Sequence, residues 1–226
     1  MLRIEDLSKA YGVNKVLDCI NLEFQKGMVY GIVGANGAGK TTLFRCIAGL
    51  EQFDGEVNSD SKNFKDSLGL LFTEPFFFPK ITGEEYIQLL LNARQKKGVV
   101  IADKNIFDLP LDQYASTYST GMKKKLALTA ILLQQNDFFI LDEPFNGVDI
   151  QSNLILVEII KKLKDLGKTV IISSHIFSTL AETCNAIFVL DKGRVSKKVE
   201  LPDFGILEAE MKAFSIGNRV DELGLL

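Results

Sequence analysis

The chain reads Gly34-Ala35-Asn36-Gly37-Ala38-Gly39-Lys40-Thr41-Thr42 directly after the apolar run 28–33. The apolar run predicts a buried strand, and residues 42–50 predict an amphipathic helix. Glycines at this spacing let the backbone curl so that successive N–H groups point inward, and the start of the helix adds the positive end of its dipole. These nine residues therefore predict a phosphate-binding loop.

Two side chains of this loop carry distinct chemistry. Lys40 would reach the β and γ phosphates of a bound nucleotide as a point charge. The Thr41 hydroxyl would ligate the Mg²⁺ that neutralises those phosphates.

A second part of the site is predicted at the run 137–143, which reads Asp-Phe-Phe-Ile-Leu-Asp-Glu. Such an apolar run predicts a strand that is buried on both faces, as in a parallel sheet. Asp142 and Glu143 end the strand at the edge where open α/β sheets bind ligands. Because adjacent residues point in different directions, we expect Asp142 to hold the metal through its water shell. Glu143 would then polarise the water that attacks the γ phosphate.

A third motif precedes the acidic strand, where residues 118–122 read Tyr-Ser-Thr-Gly-Met. This motif resembles the signature of the ATP-binding cassette (ABC) ATPases, which is usually Leu-Ser-Gly-Gly-Gln. Ser119 and Gly121 match that signature, and the other three residues differ. A serine and a glycine that open a helix over 122–133 form a second anion-binding end.

The order of further residues along the chain resembles the same family over residues 2–200. Tyr11 matches the aromatic residue that stacks on adenine, and His175 matches the switch histidine near the γ phosphate. Residues 146–149, Asn-Gly-Val-Asp, match the loop through which two copies communicate. The resemblance therefore implies ATP and Mg²⁺ as ligands. Glu143 and His175 would be catalytic, and Thr41 and Asp142 would hold the metal.

The resemblance also implies the fold class, an α/β P-loop NTPase of the ABC type. Its core would be a mostly parallel sheet within one domain, 1–200. Three short strands in residues 1–33 would form the antiparallel β lobe that holds adenine. A helical lobe would be inserted at about 74–133, and a helix there is favoured by the capping-box pattern at 82–85. Residues 201–226 would be a short C-terminal tail without a motif.

The implied function is ATP binding and hydrolysis as one subunit of a transporter. Ser119 and Gly121 would face another copy, or a paralogous cassette, so that two chains pair head to tail around ATP. A separate transmembrane permease would carry the cargo, and the signature is more similar to those of exporters than of sugar importers. A regulatory module that binds ATP without hydrolysing it stays open as an alternative, as do the cargo and the direction of transport.

One position departs from the family pattern. Thr73 stands where the family usually places glutamine, and its side chain is too short to present an amide oxygen to Mg²⁺ at the same reach. A water could bridge the gap, Glu74 could swing in, or the metal contact could be missing. Just beyond it, residues 76–78 are three phenylalanines. They would either line a docking groove for a permease helix or pack inside the lobe.

Composition agrees with a compact cytoplasmic enzyme, and the resemblance implies that it is bound to the inner face of the cell membrane through its permease. The 226 residues are 46% hydrophobic, and no apolar run approaches the ~20 residues of a bilayer-spanning helix. The start of the chain leads into a strand rather than a signal peptide. The 26 basic and 29 acidic residues give a net charge of −3, so we expect no nucleic-acid partner.

Two smaller expectations concern lysines and cysteines. The triplet 123–125, Lys-Lys-Lys, predicts a solvated helix face. The widely spaced Cys19, Cys46 and Cys184 contain no C-x-x-C pair, so they predict reduced thiols in or near the core rather than a disulfide framework or a zinc site.

Overall fold

Nine strands form two sheets within residues 1–61 and 63–216, which the computed structural model describes. The strands are β1 (Leu2–Tyr11), β2 (Asn14–Phe24), β3 (Val29–Val33), β4 (Asp54–Ser59), β5 (Leu68–Leu71), β6 (Phe138–Asp142), β7 (Thr169–Ser173), β8 (Ala186–Asp191) and β9 (Arg194–Glu200). The α-helices are α1 (Lys40–Ile47), α2 (Gly83–Ala93), α3 (Thr120–Leu133), α4 (Ile150–Asp165), α5 (Phe177–Thr183) and α6 (Phe204–Ile216).

The larger sheet has the strand order β5-β6-β7-β3-β8-β9. It is parallel from β5 to β8, and only the edge strand β9 runs antiparallel to its neighbour. Every residue of β3, β6 and β7 is buried, as their continuous apolar sequences predict. The predicted α/β fold class is confirmed. Because β3, β7 and β6 are parallel neighbours, their carboxyl ends meet at one edge of the sheet.

The smaller antiparallel sheet has the order β2-β1-β4 and corrects one prediction. The third strand predicted within residues 1–33 is β3, which joins the parallel sheet instead of the β lobe. The apolar sequence of β3 needs cover on both faces, and only the centre of the parallel sheet provides it. Its place is taken by β4, whose polar sequence shows no strand pattern and which pairs Val57 with Ile4.

A separate cluster of buried side chains lies between α2 and α3, and it includes Ile87, Leu91, Leu126 and Ala130. α2 begins with the predicted capping box, in which the Thr82 hydroxyl accepts from the Glu85 N–H and the Glu85 carboxylate accepts from the Thr82 N–H. The bounds 74–133 for an inserted helical lobe stay a prediction.

Part of the predicted tail is helical. α6 buries Phe204 and Leu207 in a cluster of core residues that also contains Phe139 and Ile172. The ring centre of Phe204 lies 6.4 Å from that of Phe177. The apolar spacing 204, 207 and 211 is the helical signal that could have predicted α6. Residues 217–226 of the predicted tail lie outside the described residues.

The expectation for the cysteines is correct for Cys46 and Cys184 and wrong for Cys19, which is exposed. The register of β1 and β2 shifts between the pairs Leu7–Ile20 and Lys9–Leu17. Both Leu17 and Ile20 are buried as a result, and the intervening Cys19 faces outward. None of the helices within residues 1–61 and 63–216 is long and apolar enough to cross a membrane.

Candidate active site

The loop between β3 and α1 runs so close to its neighbours that two positions accept only glycine. A Cβ on Gly34 would lie 2.2 Å from the backbone oxygen of Leu190 on β8. Gly39 has φ +107°, and a Cβ there would lie 2.8 Å from Cδ2 of Leu17 on β2. The glycine spacing seen in the sequence therefore follows from the packing of the loop against both sheets.

The loop ends in a helix start that has no side-chain cap. α1 begins at Lys40, and its N-cap residue Gly39 has no side chain to accept a hydrogen bond. The first N–H groups of a helix have no intrahelical partner. The N–H groups of Lys40, Thr41 and Thr42 are therefore available to an anion, together with the positive end of the helix dipole.

Lys40 is 7% exposed, and its ammonium is held by the loop itself. Its Nζ donates to the backbone oxygens of Gly34 at 2.7 Å and Ala35 at 3.3 Å. Burial lowers the pKa of Lys40, and the nearby charges of Glu143 and Asp142 raise it in part. The loop therefore keeps a desolvated ammonium at the cleft, and the low local dielectric strengthens its attraction for a phosphate.

Asp142, at the end of β6, is the most connected acid of the site, and it is 1% exposed. Its Oδ1 accepts from Ser173 Oγ at 2.6 Å, and Ser173 ends the neighbouring strand β7. Its Oδ2 accepts from Thr41 Oγ1 at 2.6 Å and from Thr73 Oγ1 at 2.8 Å. Thr73 therefore contacts the acid directly, and the three alternatives for its contact to Mg²⁺ stay open.

Glu143 follows β6 with a strained backbone, at φ +50°. Its backbone N–H donates to Ser173 Oγ at 2.9 Å, and its Oε2 accepts from the backbone N–H of His175 at 3.2 Å. His175 Nε2 lies 3.0 Å from Oε1 of Glu143 but is not aligned for a hydrogen bond. Within the described residues, Oε1 is thus a buried acceptor without a hydrogen-bond partner, which is suited to take a proton from a water.

These groups surround one cleft of about 550 Å³. Its lining residues are Val16, Asn36, Gly37, Ala38, Gly39, Lys40, Thr41, Thr42, Thr73, Asp142, Glu143, Asn146 and His175. Val16 and Ser173 were not predicted as site residues, and no sequence signal marks them. Ser173 reaches the site because β7 pairs with β6, and Val16 does so because the loop packs against β2. A larger concavity of about 660 Å³ lies beside Tyr30 and Phe188, and none of the predicted site residues lines it.

Five predicted residues do not line the cleft. Gly34 and Ala35 support Lys40 through their backbone oxygens instead, and the other three are Tyr11, Ser119 and Gly121. Tyr11 ends β1 with 44% of its surface exposed, and Lys9 Nζ lies 4.7 Å from the centre of its ring. Ser119 is exposed and caps α3 by accepting from the Met122 N–H at 3.2 Å. Gly121 packs closely on the loop after Glu143, because a Cβ there would lie 2.6 Å from the backbone oxygen of Gly147.

The prediction of a solvated face for the lysine triplet is wrong for Lys124, which is 2% exposed. Its Nζ donates to the backbone oxygens of Glu143 at 2.6 Å and Asn146 at 2.7 Å. α3 packs against the loop that follows β6, so one lysine of the triplet faces inward. Three consecutive lysines do not by themselves reveal which one faces inward, because consecutive residues of a helix point to different sides.

Comparison with known proteins agrees with this geometry. A family model described as ABC transporter matches residues 17–146. The bacitracin transport ATP-binding protein BcrA of Enterococcus faecalis is 32% identical over 216 residues, which cover 90% of this chain and 70% of that protein.

Two solved structures share the fold. The ATP-binding subunit of an ABC transporter has a TM-score of 0.79 at 26% identity, over 90% of this chain and 91% of that one. A dimeric post-hydrolysis state of the ATP-binding cassette MJ0796, bound to ADP and Pi, has a TM-score of 0.81 at 20% identity, over 89% of this chain and 99% of that one. The chain therefore belongs to the ABC transporter family, in which it is an ATP-binding and ATP-hydrolysing subunit.

Proposed function

We propose that this chain pairs head to tail with a second copy, or with a paralogous cassette, around ATP, and that the pair drives a separate membrane permease. One observation carries the proposal. The cleft gathers Lys40, Asp142, Glu143 and His175, whereas Ser119 is exposed and does not line it. A second chain that presents its Ser119 and Gly121 would complete the site, and ATP would then join the two chains.

Each residue of the cleft has a role in this proposal. Lys40 and the free N–H groups at the start of α1 bind the phosphates. Asp142, Thr41 and Thr73 offer only oxygen atoms, the donor type that Mg²⁺ prefers when it is held by one carboxylate and substrate phosphates. These residues therefore fit Mg²⁺, which when bound neutralises charge on the phosphates.

Glu143 and His175 act on the attacking water. Oε1 of Glu143, which has no hydrogen-bond partner in the described part of the chain, accepts its proton. The backbone N–H of His175 holds the other carboxylate oxygen, so that Oε1 keeps its direction. The imidazole of His175 is half exposed and lines the same cleft, where it would contact the γ phosphate. A free acceptor at this place supports hydrolysis better than it supports nucleotide binding alone.

Tyr11 is proposed to stack on adenine. Lys9 lies over its ring, and the exposed remainder of the side chain leaves room for a base. Ring stacking of this kind tolerates a nearby cation because the ammonium is attracted to the ring face.

The permease is proposed to dock at the phenylalanines 76–78. Phe76 and Phe78 are 70% and 54% exposed and contact each other edge to face, with ring centres 5.4 Å apart. Phe77 turns inward, and its ring centre lies 4.5 Å from that of Tyr86. An exposed aromatic pair on a rigid support fits the apolar face of a cytoplasmic helix of the permease. This contact would hold the chain at the inner face of the cell membrane.

A Glu143→Gln variant tests the pairing. It should bind ATP with unchanged affinity, lose turnover, and sediment as a dimer at saturating Mg-ATP. Lys40→Ala in the same background should remain monomeric because the phosphates lose their cation. Single particles from the saturated Glu143→Gln chain would contradict pairing of identical copies, and full ATPase activity in that variant would remove Glu143 as the catalytic group.

A further inference from the structure

Lys124 carries a buried charge that the catalytic roles assigned above do not use. Its Nζ is bound to two main-chain oxygens, those of Glu143 and Asn146, rather than directly to a carboxylate. Burial lowers the pKa of Lys124, and the charges of Glu143, Asp142 and Glu74 raise it in part. An ammonium in such a place costs free energy to bury, and an apolar side chain of similar volume would avoid that cost.

The contact belongs to a wider junction between the start of α3 and residues 143–149. Gly121 lies so close to the backbone oxygen of Gly147 that no side chain fits there. Lys125 Nζ lies 3.1 Å from Oδ2 of Asp149, which also caps α4 through the Ser152 N–H. The first two turns of α3 and this loop are therefore in contact at three successive places.

The junction contacts Glu143, the residue whose side-chain direction matters most for the proposed hydrolysis. Glu143 is held at φ +50°, a conformation that persists only where the surroundings enforce it. Ser173 accepts from its N–H, and Lys124 donates to its carbonyl oxygen. The two contacts fix the main chain on both sides of the Glu143 side chain.

We propose that Lys124 is a positioning residue for ATP hydrolysis, which holds the main chain of Glu143 and couples it to the end of α3 that carries Ser119. The inference rests on the proposed role of Glu143 as the group that polarises the water. A nucleotide that another copy presses against Ser119 would move the start of α3, and Lys124 would carry that movement to Glu143. Lys124 would thus connect the two nucleotide sites of the pair, the one that Ser119 contacts on the other copy and the one on which Glu143 acts.

Lys124→Met tests this inference, since methionine has a similar length but no N–H donor. We expect kcat to fall by about 10-fold to 100-fold, with KM and ATP affinity changed by less than about twofold, because only the aim of the carboxylate is lost. Amide hydrogen exchange of residues 143–149 should become faster. Lys124→Gln keeps N–H donors at a shorter reach and should recover part of kcat and of the protection.

Lys123→Met is the matched control, because Lys123 is the half-buried neighbour for which the described residues give no side-chain hydrogen bond. It should leave both kcat and exchange unchanged. Full kcat and unchanged exchange in Lys124→Met, beside an inactive Glu143→Gln, would overturn the inference and leave the proposed function intact. An active Glu143→Gln would instead remove Glu143 as the catalytic group, and with it the proposed role on which the inference rests. If ATP affinity and the thermal midpoint of unfolding both fell in Lys124→Met, Lys124 would be assigned to folding alone, and this result would also overturn the inference.

Discussion

The hydroxyl of Thr73 donates a hydrogen bond of 2.8 Å to Oδ2 of Asp142, the acid that ends strand β6. β5 pairs with β6 so that Leu71 is the partner of Leu141, which brings a residue just after β5 beside the end of β6. The strand pairing thus brings the hydroxyl of a short side chain within hydrogen-bond distance of Asp142.

Replacing Thr73 by valine should lower the affinity of the site for Mg²⁺. The isosteric change removes one hydrogen bond that orients Asp142, and supporting contacts of this kind are worth about 10-fold to 100-fold in metal affinity. We expect the Mg²⁺ concentration for half-maximal ATPase activity to rise about 10-fold. Binding of metal-free ATP, measured by fluorescence, should not change.

Thr73→Ser retains the hydroxyl and is the control for this change. It should keep the wild-type Mg²⁺ dependence. A Thr73→Val chain with normal Mg²⁺ dependence would show that the hydrogen bond does not orient the acid.

Replacing Gly34 by alanine should destabilise the whole fold, because the new Cβ would lie 2.2 Å from the Leu190 backbone oxygen and neither strand can yield. We expect the free energy of unfolding in urea to fall by at least about 2 kcal/mol. Gly205→Ala in α6 meets open space and should leave stability unchanged or raise it by up to about 1 kcal/mol. Similar results for the two variants would contradict the close approach of the loop to β8.

The thiols should differ in reactivity by position. Burial raises the pKa of Cys46 to about 11 and that of Cys184 to about 12, and both side chains are shielded from solvent. Alkylation of the native chain near about pH 8 should therefore label Cys19 alone, because the thiolate is the reactive form. Cys19→Ser should leave the native chain unlabelled, and rapid labelling of Cys46 in that variant would show that its site is open.

The same thiols predict how stability depends on pH. The folded chain keeps these two protons above the ordinary thiol pKa of 9.0, whereas the unfolded chain releases them. The free energy of unfolding should therefore be unaffected by these groups below about pH 8 and fall as pH rises from about 9 toward 11. Urea denaturation of Cys46→Ala/Cys184→Ala at about pH 8 and about pH 11 should show a smaller fall in the free energy of unfolding than in the unmodified chain. An equal fall would exclude the thiols as its cause.

Substitutions within the phenylalanines 76–78 should affect binding of the membrane subunit and stability of the fold separately. Phe76→Ser/Phe78→Ser removes the exposed pair and should reduce co-purification with the cognate membrane subunit at least about 10-fold, with the free energy of unfolding unchanged. Phe77→Ala removes the inward ring and should instead lower that free energy by about 3 kcal/mol. Unchanged co-purification of the double variant would count against docking at this surface.

Some structural features were readable from local patterns. The phosphate-binding loop, the acidic strand and the capping box at Thr82 each depend on residues close together in the chain. The strand β4 was missed because its polar sequence has no apolar alternation, so its place beside β1 depends on pairing rather than on composition. The inward direction of Lys124 was also missed, because it depends on what α3 packs against.

Local spacing was sufficient to define the glycine loop, the paired acids and the family, since steric limits and hydrogen-bonding capacity act between near neighbours. The order of strands was decided by the tertiary structure, which brought Ser173 and Thr73 to Asp142 and Lys124 to the main chain of Glu143. Parallel neighbours are joined by long crossover connections, so contacts at the shared edge involve residues far apart in the chain.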